Sequence, residues 1–312
     1  MKHLFATRHI ELLVAVSLTL AILPSIKAEP RCPGHIAGVT PRFVQHALIV
    51  IPVKVNHAGP FDFMVDTGSQ VTVIDPSLAS QLDLKPQGRV GLVSVASYAQ
   101  ASVTVLDTLE ADSKVVEKSP AIVQDLRQIQ AAEPRIRGVL GESFLAHFDL
   151  LIDYGHGLLC LDGTSVMRDS LRGERISFVP PQHPEGELPF MDRLVISVHL
   201  SGTGTRPILL QLDSGSDGPI LYPGSEEPEV QKLVHAALLQ RGNVTSAQRA
   251  FSVVPLQNVQ IGNRILSHIS FVTPVNVGKN VPGRGEDGLF PTLLFSSVFI
   301  SAADHYVIFD PK

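Results

Sequence analysis

One short motif occurs twice in this chain, once in each half. Residues 63–69 read Phe-Met-Val-Asp-Thr-Gly-Ser, and residues 210–216 read Leu-Gln-Leu-Asp-Ser-Gly-Ser. Each copy runs from a short apolar segment, typical of a β-strand, into a loop that carries an aspartate, Asp66 or Asp213. A duplicated loop of this kind predicts two similar lobes that bring the two aspartates face to face.

The duplication extends beyond the two motifs. Both halves consist of short Val, Ile, Leu and Phe runs between Gly, Pro, Asn and Asp, which is typical of strands and turns. In chain order, the paired segments are hairpins at 47–66 and 194–213, helices at 76–82 and 226–241, apolar segments around a glycine at 136–145 and 286–295, and closing strands at 158–162 and 306–310. This order predicts an all-β protein with two similar lobes and few short helices.

The connection between the lobes is expected in a Pro- and charge-rich stretch at 163–187, since such composition suits an exposed linker. The N-terminal lobe, residues 29–170, then carries the first motif. The C-terminal lobe, residues 171–312, carries the second.

Residues 1–28 have the three parts of a secretory signal. Lys2 and Arg8 supply a basic start, residues 12–23 form an apolar core, and Ala28 ends a plausible cleavage site. An uncleaved membrane anchor is the alternative, but the apolar run is shorter than the roughly 20 residues that span a bilayer. We therefore expect an exported protein, periplasmic or secreted, without a stable membrane span after cleavage.

The chain has two cysteines, Cys32 and Cys160, and both would enter an oxidising compartment. A disulfide would tie the start of the exported chain to the end of its first half. On the chain-entropy model it would stabilise the fold by about 4–5 kcal/mol, because it closes a long loop. Two unpaired thiols remain the alternative, since sequence does not fix the geometry.

Composition argues against several classes of partner and cofactor. The net charge is −5 and no basic run occurs, so neither nucleic acid nor an anionic membrane surface is expected to bind. The 12 histidines lack the spacing of metal ligands. Residues 283–288 read Gly-Arg-Gly-Glu-Asp-Gly, but no clear strand precedes them and Pro291 interrupts the segment after them. We therefore expect no metal and no other cofactor.

The two motifs, together with the apolar segments around Gly138 and Gly288, resemble those of bilobal aspartic proteases. They are similar to the pepsin and retropepsin families, especially to exported bacterial members. The resemblance covers nearly all of the chain after the signal and implies two β-barrel-like lobes with an active-site cleft between them. It implies that Asp66 and Asp213 form a catalytic dyad that shares one proton and activates water to hydrolyse peptide bonds. It also implies an endopeptidase that binds an extended polypeptide and works as a monomer, since both aspartates lie in one chain.

The residues around the aspartates have expected supporting roles. Gly68 and Gly215 allow the two loops to approach closely, where a Cβ atom would be costly. The resemblance implies that the hydroxyls of Thr67 and Ser214 form hydrogen bonds across the lobe interface and hold the loops rigid.

The resemblance also assigns Ser69 and Ser216 to hydrogen bonds with the outer carboxylate oxygens. Such bonds favour the ionised form and lower the pKa of the pair, which predicts an acidic optimum. A hairpin at 91–105 is the expected flap over the cleft. Tyr98 near its tip corresponds either to the flap tyrosine of pepsin-like enzymes or to an ordinary surface tyrosine.

Two other functions compete with proteolysis. A catalytically silent, peptide-binding relative is the first, because fold does not fix function. This alternative is supported by differences between the two halves. In the second half, Asp217 adds a carboxylate after the motif, and Phe290-Pro291 stands where the first half has Leu140-Gly141. A glycosidase that uses the same carboxylates is the second, although it requires no duplicated hydroxyl-bearing loop. Acids that lack a symmetric partner are expected at surfaces or turns: Asp62, Asp149, Asp153 and Asp217.

Overall fold

The structure, a computed structural model, describes residues 31–45, 47–180, 193–201, 206–239, 250–278, 281 and 284–312. The predicted signal at 1–28 and part of the predicted linker lie outside these ranges. The described residues are mostly β-strand with few short helices, which confirms the predicted all-β fold. None of their helices has the length and apolar character needed to cross a membrane.

Strands account for most of both halves. The first half contains β1 (Gly38–Val39), β2 (Arg42–Val44), β3 (Leu48–Val55), β4 (Ala58–Val65), β5 (Thr72–Ile74), β6 (Gly88–Val93), β7 (Tyr98–Ala111), β8 (Lys114–Val123), β9 (Ile136–Leu140), β10 (Asp149–Asp153) and β11 (Leu158–Asp162). The second half contains β12 (Ile176–Ser177), β13 (Val195–Leu200), β14 (Ile208–Asp213), β15 (Ile220–Leu221), β16 (Phe251–Val253), β17 (Gln257–Ile261), β18 (Arg264–Ile269), β19 (Val272–Pro274), β20 (Gly288–Pro291), β21 (Ser297–Ser301) and β22 (Tyr306–Phe309).

The helices are short. They are α1 (Pro76–Gln81), α2 (Arg127–Gln130), α3 (Glu142–Leu145), α4 (Val166–Ser170) and α5 (Pro228–Leu239), with single 3₁₀ turns at Pro33–His35 and Thr292–Leu294. Local sequence explains where elements begin and turn. The Asp75 side chain accepts a hydrogen bond from the Ser77 N–H and caps α1. Asn56 and His57 adopt positive φ, as the two-residue turn between β3 and β4 requires.

Each lobe is built on its own eight-stranded sheet. The order is β2-β3-β4-β9-β5-β8-β7-β6 in the first half, where β3 also pairs with β7 and partly closes a barrel. In the second half the order is β16-β19-β15-β20-β14-β13-β17-β18. In both sheets the strand that leads to the motif lies parallel to the strand of the apolar-glycine segment, β4 beside β9 and β14 beside β20. The sequence repeat is therefore a repeat of sheet topology.

The two faces of the C-terminal sheet differ in their contacts. Leu212 of β14 and Phe290 of β20 pack in the main core. Gln211 and Leu289, which are register partners in the same two strands, point to the opposite face because side chains alternate along a strand. Asp213 lies two residues after Gln211 and on that same face, which leads to the cleft.

A third sheet of six strands joins the two halves. Its order is β1-β11-β10-β21-β22-β12, and β10 of the first half pairs antiparallel with β21 of the second. Residues 31–312 accordingly form one compact unit. This sheet holds the lobes together on the side where both halves end.

A disulfide anchors the start of the described chain to the shared sheet. Cys32 and Cys160 are joined, with their Cα atoms 5.8 Å apart and a sequence separation of 128. Gly38 of β1 pairs with Cys160 of β11, so the bridge and the strand pairing fix the same segment. Closing a loop of this length stabilises the fold by about 4–5 kcal/mol on the chain-entropy model.

Asp149, which the sequence predicts at a surface or turn, is buried in the shared sheet. The residue is 3% exposed, its Oδ2 lies 3.1 Å from Nε of Arg168, and its Oδ1 accepts from the Ala302 N–H at 3.0 Å. Burial raises the pKa of this carboxyl. The prediction was wrong because β10 lies between β11 and β21, and pairing with a strand of the other half leaves no local sequence pattern.

Candidate active site

The two motif loops end equivalent strands and hold their aspartates in the same way. The Asp66 N–H donates to the Leu140 carbonyl at 3.0 Å, at the end of β4. Asp213 is the last residue of β14, opposite Pro291 of β20. Oδ1 of Asp66 accepts from the Gly68 N–H at 2.8 Å, and Oδ1 of Asp213 accepts from the Gly215 N–H at 2.7 Å.

The structure brings the two carboxyl groups together. Asp66 and Asp213 are hydrogen-bonded to one another through their side chains. Each carboxyl group packs against the glycine of the opposite loop. A Cβ atom added to Gly68 would lie 2.6 Å from Cγ of Asp213, and one added to Gly215 would lie 2.7 Å from Cγ of Asp66. Any larger residue at either glycine would force the carboxyl groups apart.

Thr67 and Ser214 connect the loops by reciprocal hydrogen bonds. The Thr67 N–H donates to Oγ of Ser214 at 3.1 Å, and the Ser214 N–H donates to Oγ1 of Thr67 at 3.0 Å. Each hydroxyl also donates across the interface: Thr67 to the Leu212 carbonyl at 3.2 Å, and Ser214 to the Val65 carbonyl at 3.1 Å. All four bonds are buried, so water cannot replace them without cost.

Ser69 and Ser216 do not contact the aspartates through their hydroxyls, contrary to the prediction. The Ser69 hydroxyl donates to the Val71 carbonyl, and the Ser216 hydroxyl donates to the Gly218 carbonyl, both at 2.8 Å. Their backbone N–H groups bond the carboxylates instead. A serine hydroxyl readily bonds backbone two residues away, and this local bond competes with the expected one.

The pKa values of the two aspartates are raised to different extents. Burial raises the pKa of Asp66, although hydrogen bonds from Asp213 and from backbone N–H groups act in the opposite direction. Burial, together with the negative charge of Asp66, raises the pKa of Asp213 well above its ordinary value. Two carboxyl groups in contact cannot both ionise easily, so the pair holds on to one proton and titrates as a unit. The expected lowering by serine hydroxyls is absent from this pair.

A third acid, Glu142, is buried next to the dyad and was not identified from the sequence. It begins α3, its N–H donates to the Ser69 carbonyl at 2.8 Å, and it is 3% exposed. Burial and the negative charge of Asp66 raise its pKa well above the ordinary value. Within the described part of the chain, its Oε1 has no hydrogen-bond partner. Its position directly after Gly141, in the repeated apolar segment, was the available signal.

The equivalent place in the second half is occupied differently. Thr292 follows Pro291 as Glu142 follows Gly141, and its hydroxyl lies 2.7 Å from the hydroxyl of Tyr154. Burial raises the pKa of Tyr154 to about 12, and the Asp213 charge acts in the same direction. The duplicated site is thus asymmetric, with a buried acid beside Asp66 and a hydroxyl pair near Asp213.

The predicted flap corresponds to the hairpin of β6 and β7, which is longer than expected. We call residues 94–97, between the two strands, the flap tip. Tyr98 is the first residue of β7, is 42% exposed, and packs across the hairpin so closely that a Cβ atom on Gly91 would lie 2.5 Å from its hydroxyl. The tip residue that packs on the C-terminal lobe is Val95.

Metal ligands are not clustered in the part of the chain that the structure describes. Among those residues, no group of three His, Cys, Asp or Glu side chains could hold a metal ion. Gly283 of the Gly-Arg-Gly-Glu-Asp-Gly stretch lies outside the described residues.

Comparison with known proteins finds a similarity to one family. Residues 51–144 match the family model described as aspartyl protease, which confirms the predicted resemblance to the pepsin and retropepsin clan. Among solved structures, the chain is similar to a retropepsin-like aspartic protease from Rickettsia conorii. That similarity has 22% identity and a TM-score of 0.29, and covers 40% of this chain and 87% of the other. No curated protein matches the chain.

Removal of the Thr67 hydroxyl tests the bonds between the loops. We expect Thr67→Val to lower the free energy of unfolding by about 2–4 kcal/mol, since the buried Ser214 N–H and Leu212 carbonyl each lose a partner. Thr67→Ser is the matched control, because it keeps the hydroxyl and costs only about 1 kcal/mol for the lost methyl group. Urea denaturation measures both, and equal losses in the two variants would contradict the assigned role.

Glu142→Gln tests whether the buried acid is neutral. The folded-state pKa is raised, so the native state keeps a proton that the unfolded chain releases above about pH 4. Wild-type stability therefore falls as pH rises from that value through the folded-state pKa, whereas glutamine contributes no such fall. We expect the stability of Glu142→Gln relative to wild type to increase between about pH 4 and 7. Thermal unfolding at several pH values measures this, with Glu117→Gln at an exposed site as control; parallel curves for Glu142→Gln and wild type would refute it.

Proposed function

We propose that this chain is an exported aspartic endopeptidase that hydrolyses peptide bonds with a water molecule activated by Asp66 and Asp213. The family match supports protease activity. The observation that carries the proposed mechanism is the pair of carboxyl groups, Asp213 buried and Asp66 partly buried, that are hydrogen-bonded to one another and have raised pKa values.

The geometry supports a division of labour between the two acids. The ionised Asp66 accepts a proton from water, which attacks the carbonyl carbon of the peptide bond. The protonated Asp213 donates its proton to the carbonyl oxygen, so a neutral tetrahedral diol forms and the dyad still holds one proton. Collapse of the diol transfers a proton to the leaving nitrogen and breaks the C–N bond. No serine or cysteine nucleophile takes part in these reaction steps.

The close contact of the carboxyl groups distinguishes proteolysis from glycoside hydrolysis. Retaining glycosidases hold their two carboxyl groups about 5 Å apart, and inverting ones hold them farther apart, to leave room for the sugar or for water. The direct hydrogen bond between Asp66 and Asp213 holds their carboxyl groups closer together than either glycosidase arrangement.

Export is supported by the disulfide of Cys32 and Cys160, since structural disulfides persist in oxidising compartments. A periplasmic or secreted monomer acting on extended polypeptide is the form that we propose.

Proteolysis of an unfolded protein, scanned from pH 3 to 8, tests the proposal. We expect Asp66→Asn and Asp213→Asn each to reduce kcat by about 10²- to 10⁴-fold, the usual contribution of a general acid or base. Asp217→Asn is the matched control. Asp217 is exposed and four residues from Asp213, so its loss should leave activity within about twofold.

The pH range of activity in the same experiment can also be predicted. Below the pKa of Asp66 both acids are protonated and no base remains; above the pKa of Asp213 both are ionised and no acid remains. Because both pKa values are raised, both limbs of the profile should lie above about pH 4, the ordinary value for aspartate.

Activity that survives in Asp66→Asn would reject the dyad. A folded wild type that binds peptides but cleaves none would favour the binding-protein alternative.

A further inference from the structure

The flap tip is bonded to the opposite lobe through the backbone carbonyls of two alternate residues. The Ser94 carbonyl accepts from the guanidinium of Arg284, and the Ala96 carbonyl accepts from the Gly278 N–H at 3.0 Å. Both donors belong to the C-terminal lobe, whereas the hairpin belongs to the N-terminal lobe. Two carbonyls that an extended peptide could otherwise use are thus already satisfied.

The residue between these carbonyls packs on an apolar patch of the C-terminal lobe. Val95 contacts a cluster that contains Ile220, Tyr222 and Leu289. Leu289 lies on the cleft-facing side of the sheet, opposite the core, and pairs with Ile220. The register partner of Leu289 is Gln211, whose side-chain N–H donates to the Gly68 carbonyl of the first motif loop at 2.9 Å, which places this patch close to the dyad. The flap tip therefore covers the cleft beside Asp213.

Arg284 is held in position for its contact with the flap tip. Its Nη1 donates to the Tyr222 hydroxyl at 2.7 Å, and its guanidinium lies 4.3 Å from the centre of the Tyr222 ring. Its Nη1 is also 3.7 Å from Oε1 of the buried Glu286, which Arg193 contacts at 2.7 Å through the other carboxylate oxygen. A planar guanidinium held by a ring and a carboxylate loses little further freedom when its second nitrogen bonds the flap tip.

The free end of the hairpin has little other support. Residues 98–101 of β7 pair with β6, whereas the pairing of β7 with β8 begins only at Ser102. A two-stranded ribbon alone is marginally stable in water. The position of the flap tip therefore depends on its contacts with Arg284, Gly278 and the Val95 patch.

We propose that Arg284 is a latch that holds the flap closed on the C-terminal lobe and must release before an internal polypeptide segment enters the cleft. The proposal rests on the proposed function for its substrate class. A closed flap reduces apparent affinity by the fraction of molecules that are open. Arg284 acts through the flap and does not touch the reacting atoms, so it is a positioning residue.

Steady-state kinetics on an unfolded protein substrate tests the sign of this effect. We expect Arg284→Ala to lower KM by about three- to tenfold with kcat unchanged, because the open fraction rises. Tyr222→Phe, which loses only the hydroxyl contact, and Arg284→Lys, which cannot bond Tyr222 and Ser94 together, should give intermediate values. A lower kcat at unchanged KM in Arg284→Ala would overturn the proposal, since Arg284 would then serve the bound state.

An engineered lock tests the same contact in the opposite direction. Ala96→Cys combined with Gly278→Cys places two thiols where the backbones meet. A Cβ atom at Gly278 makes only ordinary contacts, 3.6 Å from Val281 and 3.7 Å from the Ala96 carbonyl oxygen. Oxidation of the double variant should reduce polypeptide cleavage more than about tenfold, and mild reductant should restore it, while each single variant stays unaffected. Full activity of the cross-linked form would reject the gate.

Hydrogen exchange separates failure of the latch from failure of the proposed function. Amide exchange of residues 91–99, measured without substrate, should be faster in Arg284→Ala than in wild type or Arg284→Lys. This result would support the latch even if no protein substrate is cleaved. Unchanged exchange in Arg284→Ala would overturn the latch whether or not the wild type is a protease.

Discussion

The reciprocal hydrogen bonds of Thr67 and Ser214 are the constraint on which the site depends. Two carboxyl groups in contact repel one another once both are charged, and burial makes that repulsion stronger. The loops that carry them come from different lobes, so the contact needs a rigid connection at their base. Four buried bonds between Thr67, Ser214, Val65 and Leu212 provide it. With the loops fixed, the carboxyl groups relieve their repulsion by sharing a proton.

The duplicated site is asymmetric around its two aspartates. Backbone N–H groups stabilise the charge of each aspartate in the same way, so the loops themselves are equivalent. The residues beside the loops differ, because the position after the apolar-glycine strand is Glu142 in one half and Thr292 in the other. A charged Glu142 would add a third negative group to a buried site, and burial beside Asp66 instead keeps it protonated. Duplication supplies the scaffold, and divergence at this one position distinguishes the surroundings of its two acids.

The sequence predicted the elements that repeat and missed those that depend on contacts between the halves. The two motifs, the hairpins before them and the apolar-glycine strands were all readable, because each leaves a local pattern twice. The shared six-stranded sheet left no such pattern, and Asp149 was therefore misassigned to a surface or turn. The hydroxyls of Ser69 and Ser216 were misassigned because of a local contact instead. A backbone carbonyl two residues away accepts each hydroxyl in place of the carboxylate. Glu142 was missed because a charge in an apolar segment is usually solvated.

The distribution of contacts around the cleft determines where it can open. The shared sheet and the bonds between the motif loops fix the lobes below the cleft, and breaking them would expose buried polar groups. Above the cleft, the lobes meet at the flap tip. Two of its backbone carbonyls accept hydrogen bonds from the C-terminal lobe, and one of its residues, a valine, packs on that lobe. Local opening is drawn from the regions with the fewest buried contacts. Movement that admits a polypeptide is therefore expected in the two-stranded end of the flap, and the strength of the Arg284 contact sets how often it occurs.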